Sequence, residues 1–146
     1  MIALLQRVAR ARVEVAGAVV GAIDQGLLLF VCAEPADTPA VAARLVDKVL
    51  KLRIFSDEAG KMNRSLQDVA GGLLVVSQFT LAADTGGGNR PGFSAAAPPA
   101  LGRALYNEVL RVARDKHPLV QAGVFGADMQ VHLVNDGPVT IPLRMR

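Results

Sequence analysis

From residue 2 to residue 15 apolar and polar side chains alternate, most clearly in "ARVEV". Alternation with period two predicts a half-buried strand. Ala16-Gly17 offers a turn, and "VVGAI" at 19–23 returns as the hairpin partner. After Gly26 the run 27–33 is continuously apolar, the pattern of a short strand covered on both faces. The period then lengthens. In 37–52, Val41, Leu45, Val49 and Leu52 recur at helical spacing, with Asp37 or Thr38 as N-cap and Pro39 in the first turn.

Residues 53–63 read as a short strand and a turn around Asp57 to Gly60, and Gly71-Gly72 breaks the chain before an apolar strand at 73–81. The Gly-rich stretch 83–97 reads as a loop long enough to suggest function. Pro98-Pro99 opens a second helix, 99–115, with Leu101, Leu105, Val109 and Val112 as its apolar stripe. The segments 120–126, 129–135 and 139–144 read as closing strands. Two long helices and many strands predict an α+β fold, one domain over 1–146, with helices packed on one or more sheets.

Composition narrows the class. A chain of 146 residues suits one core, and an apolar share of 51% argues against disorder. The runs 26–34 and 73–82 are far too short to span a bilayer. Arg7, Arg10 and Arg12 interrupt the N-terminal apolar residues, so a signal peptide is not expected and a cytoplasmic location is. A net charge of +3 suits an anionic partner such as RNA without requiring one. Cys32 is the only cysteine and reads as a small buried hydrophobe.

Several chemistries lack their motifs. "GGGNRPGF" is not followed by Gly-Lys-Ser/Thr, so a P-loop is unsupported, and there is no Gly-x-Ser-x-Gly elbow. His117 and His132 form no short metal-ligand motif with Cys32. His132 reads as a polar-face strand residue and His117 as a helix C-cap. No metal and no cofactor are expected. Ser77, Gln78 and Thr80 appear abruptly after an apolar strand, beside the long loop. Polar groups at a strand end can line a pocket; equally, Ser77 and Thr80 could satisfy local backbone groups. "NDGPV" at 135–139 could be a turn between strands or a working part.

The segments "IALLQRV", "RIFSDEAGKMN" (53–63), "VVSQFTLAADT" (75–85), "NRPGF" (89–93), "GVFGADMQV" (123–131) and "LVNDGPVT" (133–140) resemble the D-aminoacyl-tRNA deacylases of bacteria and eukaryotes nearly end to end. The chain departs at Gly92, where the family usually carries a small polar residue, and at Gly86-Gly87-Gly88, where a charged segment is usual.

The resemblance implies a compact β-barrel-like sheet with two main packed helices, working as a homodimer. It implies hydrolysis of the ester between a D-amino acid and the 3′-terminal adenosine of tRNA, and of glycyl-tRNA. It places Gln78, Phe79 and Thr80 at the catalytic centre, and Ser77, Phe125 and Met129 around the substrate. It makes Gly137-Pro138 a cis step that enters the pocket of the other subunit and rejects L-residues, with Arg7 holding that loop. Either Thr80 or the ribose 2′-OH of the tRNA carries the chemistry. A non-catalytic nucleic-acid-binding module and an esterase for small metabolites remain alternative readings of the same residues.

Overall fold

The computed structural model describes all of residues 1–146. The N-terminal alternation builds β1 (Ile2–Val15). Ala16 and Gly17, both at positive φ, turn the chain into β2 (Ala18–Ile23). β3 (Gly26–Cys32) follows and is buried at every position but Phe30. One edge of β1 pairs with β3 through Ile2 to Val8 and with β2 through Ala11 to Val15. β6 (Gly72–Ser77) lies parallel to β3, and β7 (Val120–Ala122) parallel to β6.

The resulting order is β2-β1-β3-β6-β7, with β8 (Gln130–Arg144) on the other edge of β1. The mixed sheet curls until β2 approaches β7. A Cβ on Gly21 would lie 2.6 Å from the Ala122 carbonyl oxygen, so glycine is required where the barrel nearly closes.

The curl explains the continuous apolar run of β3. Leu28 points into the barrel with Val8, Val13, Leu74 and Val76. Leu27 and Leu29 point outward against α1 (Pro39–Lys51) and α3 (Pro99–Lys116), where Leu45, Val49, Leu105 and Val109 meet them. Both faces of the strand are therefore dry. Thr38 is the N-cap of α1, without a side-chain cap bond. The Asp37 carboxylate instead accepts from the Glu34 N–H at 2.7 Å and the Met1 ammonium at 2.8 Å.

Four segments differ from the sequence reading. The strand expected at 73–81 stops at Ser77, because β3 ends at Cys32 and leaves nothing further to pair; Phe79–Ala82 then form a 3-10 turn. The strand expected at 120–126 stops at Ala122. The strands expected at 129–135 and 139–144 are one strand, β8. Val8 faces Asn135 and Gln6 faces Thr140, so residues 136–139 bulge out opposite Arg7 while β1 pairs on both sides. Pro138 and Pro142 are tolerated because β8 is an edge strand. A short helix, α2 (Leu66–Val69), was not expected; Ser65 and Asp68 form its capping box at 3.1 and 2.8 Å.

Between α1 and α2 a small ladder joins β4 (Phe55–Ser56) to β5 (Met62–Arg64), around the expected turn at Asp57. His117 caps α3 as expected, and its side chain does more than cap. Nε2 lies 2.7 Å from the Gly71 carbonyl oxygen in a site only 4% exposed, pinning the end of α3 to the start of β6.

Candidate active site

A cavity of about 590 Å³ opens where β3 and β6 end and α3 begins. Val31, Cys32 and Ser77 form its strand-end wall, Gly102 and Tyr106 its helix wall, and residues 125–129 its far side. Of the sequence-expected residues, Ser77, Gln78, Phe79, Phe125 and Met129 meet here. Thr80 stands just outside the lining, and Gly137 and Pro138 are not part of it.

The polar turn follows from where pairing ends. The Gln78 N–H still donates to the Val31 carbonyl at 2.8 Å, which commits that amide to the sheet. The chain then enters the 3-10 turn, whose opening N–H groups, those of Phe79 and Thr80, have no partner within the turn. The Gln78 side-chain amide donates to the Thr80 hydroxyl. No histidine, lysine or carboxylate contacts that hydroxyl. Ser77 makes no side-chain hydrogen bond, so its hydroxyl is available at the cavity wall.

Aromatic rings frame the opening. Phe79 is 56% exposed, and its ring meets that of Phe93 edge-on with centroids 5.1 Å apart. Phe125 packs on Tyr106 at 5.8 Å, and the Arg103 guanidinium lies 4.7 Å from its ring centroid. The Tyr106 hydroxyl donates to the Val75 carbonyl at 2.9 Å, and burial pushes its pKa up to about 12.

Burial, and then the charge of Glu34, raise the Cys32 thiol, so it stays protonated at neutral pH as a small apolar wall residue. Asp128 is the only charged side chain in the lining. Sequence reasoning passed over Asp128, Phe93 and Tyr106. The first two lie inside the "GADMQV" and "NRPGF" segments, which were the available signal.

Gly137 and Pro138 sit elsewhere. Their peptide bond is cis, and Gly137 has φ +128, a conformation that favours glycine. Both residues are exposed. Arg7 holds the segment: Nε donates to the Asp136 carbonyl at 3.1 Å and Nη1 to the Ile54 carbonyl at 2.8 Å. Arg7 faces Leu27 on β3, whereas Ile2 faces Cys32 at the cavity. At a strand rise of about 3.3 Å per residue, those levels are roughly 17 Å apart. At position 92 the backbone exchanges both hydrogen bonds with Asp84, at 2.8 and 2.9 Å, and a side chain there would meet nothing within 4 Å.

Residues 4–144 match the family described as D-Tyr-tRNA(Tyr) deacylase. A D-aminoacyl-tRNA deacylase of Variovorax paradoxus is 68% identical to the chain, with 99% of each covered. The chain belongs to the D-Tyr-tRNA(Tyr) deacylase family. Membership makes it a hydrolase, a D-aminoacyl-tRNA deacylase acting in tRNA proofreading. A deacylase of Methylibium petroleiphilum is also 68% identical, over 98% of this chain and 94% of that one. Among solved structures, one described as c-Myc DNA Unwinding Element Binding Protein superposes with a TM-score of 0.93 at 41% identity, covering 99% and 98% of the two chains. A second, described as a probable eukaryotic D-amino acid tRNA deacylase, has a TM-score of 0.83 at 17% identity and shares the barrel-like α+β fold of the deacylase family.

Proposed function

We propose that the protein hydrolyses the ester between a D-amino acid and the 3′-terminal adenosine of tRNA, spares the L-esters, and does so as a homodimer. The observation that carries this reading is the separation of cavity and Gly137-Pro138 within one chain. The pocket opens at the Cys32 end of the sheet, and Gly137-Pro138 is anchored at the Leu27 end, outside the lining. A second protomer can bring that step to the pocket; the same protomer cannot without breaking the Arg7 contacts.

In the dimer, the main-chain carbonyls of Gly137 and Pro138 accept hydrogen bonds from the substrate's α-ammonium. A backbone selector has no rotamers and is held by its neighbours. An L-residue bound through the same ammonium and ester would drive its side chain into that backbone, which is rejection by clash. Glycine has no side chain to clash, so glycyl-tRNA is cleaved too.

The N–H groups of Phe79 and Thr80 receive the oxyanion of the tetrahedral intermediate, since the Gln78 amide is already bonded to Val31. The exposed ring of Phe79, braced by Phe93, offers a stacking face to the terminal adenine. The Thr80 hydroxyl has the Gln78 amide as its partner and no base beside it. The ribose 2′-OH therefore positions and activates the attacking water. Water adds to the ester carbonyl, the 3′-oxygen leaves with a proton, and free D-amino acid and tRNA result. Ser77 hydrogen-bonds the substrate at the wall, with Phe125 and Met129 shaping the aminoacyl side.

The solved relative named for binding a DNA element supports a second reading, in which the chain binds nucleic acid without turnover. Following D-tyrosyl-tRNA with purified protein over many turnovers separates them. The deacylase reading requires D-tyrosine to accumulate far beyond the enzyme concentration. Release of no more than one equivalent would leave the binder, and equal cleavage of a small D-aminoacyl ester would leave a general esterase.

A further inference from the structure

The segment "RIFSDEAGKMN" and the end of α1 before it have no part in the chemistry above. They carry most of the chain's unbalanced charge. Residues 48–64 contain five basic side chains, Lys48, Lys51, Arg53, Lys61 and Arg64, and two acidic ones, Asp57 and Glu58. That excess equals the +3 of the whole chain. The acids here are already engaged. Asp57 accepts from the Ala59 and Lys61 N–H groups and from Asn63, and Glu58 pairs with Arg64. Asp47, one residue upstream, pairs with Lys116 at 2.6 Å. Lys48, Lys51 and Lys61 are exposed and make no ion pair.

The position of this segment matters as much as its charge. The 13 residues of α1 run away from the cavity end, so Lys51 stands about 20 Å from the start of the helix. Arg7 bonds the Ile54 carbonyl and the Asp136 carbonyl with one guanidinium. The basic segment and Gly137-Pro138 therefore form one body, at the far end of the protomer from its own pocket. Wherever Gly137-Pro138 is delivered, the unpaired lysines arrive with it.

We propose that Lys48, Lys51 and Lys61 of one protomer grip the phosphates of the tRNA 3′ end whose terminal adenosine occupies the pocket of the other. The inference rests on the cross-protomer reading above. Each tRNA would then be held by both subunits: one takes the reacting end, and its partner takes the backbone that leads to it. Long-range attraction of this kind positions a nucleic acid without reading its sequence.

The test replaces the three lysines together, Lys48→Gln, Lys51→Gln and Lys61→Gln, with dimerisation and thermal unfolding followed in parallel. On D-tyrosyl-tRNA the expected result is a rise in KM of about tenfold in moderate salt, with kcat retained and the slope of log KM against log salt reduced by about 2. D-Tyrosyl-adenosine has no phosphate, and its cleavage is expected to match the wild type. An unchanged KM and salt slope on the tRNA overturns the proposal. So does equal loss on both substrates, which would mean a damaged pocket. Loss of single-stranded DNA binding with an unchanged KM for tRNA would assign the lysines to another ligand.

Mixed dimers decide which protomer is responsible. A protomer plugged by Ala97→Trp, or by Gly102→Trp if the first does not fold, is paired with the triple-lysine variant. The live pocket then faces intact lysines only across the dimer, so wild-type KM is expected. A raised KM places the grip within the same protomer and overturns the proposal. Failure of the wild type to cleave D-tyrosyl-tRNA at all would instead defeat the deacylase reading itself.

Discussion

Arg7 holds the backbone of Asp136, the residue that leads into Gly137-Pro138, by a 3.1 Å hydrogen bond from Nε, and its side chain is only 11% exposed. One planar guanidinium reaches two carbonyls on separate segments, which a lysine ammonium on a flexible stem reproduces poorly. Arg7→Lys should leave the fold intact and loosen the segment. The expected result is a fall in kcat/KM on D-aminoacyl-tRNA of about 10- to 100-fold, the scale of a misplacement near 1 Å. Steady-state kinetics on a variant with unaltered oligomeric state and stability checks this; full activity would show that the anchor is dispensable.

Gly137 leaves no room for a side chain. A Cβ would lie 2.9 Å from Val139 Cγ2 and 3.1 Å from Arg7 Nη2, at a φ of +128 that disfavours L-residues. Gly137→Ala should destabilise the protein by about 1–3 kcal/mol and displace Arg7. Urea unfolding measures the first effect, and the D-to-L preference the second. A variant as stable and selective as the wild type would show that the segment tolerates a side chain.

Thr80→Ala removes a hydroxyl whose visible partner is the Gln78 amide. If the substrate's 2′-OH does the chemistry, the variant keeps kcat within about tenfold of the wild type. Substrate ending in 2′-deoxyadenosine should then be cleaved slower by about 100-fold or more, the scale of a lost general base. A dead Thr80→Ala enzyme that still binds tRNA, together with normal cleavage of the deoxy substrate, would restore threonine as the nucleophile.

Tyr106 gives a pH signature. Burial raises its pKa from 10.0 to about 12, so the folded protein keeps a proton that the unfolded chain loses. Its contribution to stability is intact below pH 10 and declines as pH rises from there through the folded value, by about 3 kcal/mol in total. Tyr106→Phe should flatten the decline in Tm between pH 10 and 12. It should also cost about 1 kcal/mol at neutral pH by removing one of the two hydrogen bonds to the Val75 carbonyl, which keeps that from the Gly123 N–H at 3.0 Å. Parallel melts of both proteins across that range provide the check.

Much of this architecture is legible in the residues themselves. Period two marks β1, period 3.6 marks α1 and α3, and a doubly apolar run marks β3, because each pattern records which faces are dry. The polar break at Ser77-Gln78 falls at a cavity wall. What the sequence does not reveal is long-range pairing. "NDGPV" carries every local signal of a hairpin turn, yet the flanking segments pair with β1 and not with each other. Likewise the strand at 73–81 ends early because its neighbour ends, a fact recorded at Cys32 and not at Ser77. The His117 contact with Gly71 joins residues 46 apart in sequence and has no local signal at all. The role proposed for Gly137-Pro138 starts from resemblance; no pattern in composition or spacing would have suggested it.

The central claim is chiral selection at the ester, and matched substrates test it most directly. Purified wild-type protein is given D-tyrosyl-tRNA and L-tyrosyl-tRNA prepared on the same tRNA, and kcat/KM is measured for each beside glycyl-tRNA. The account predicts rapid cleavage of the D-ester, measurable cleavage of the glycyl ester, and survival of the L-ester. Comparable rates on the D- and L-esters would contradict it.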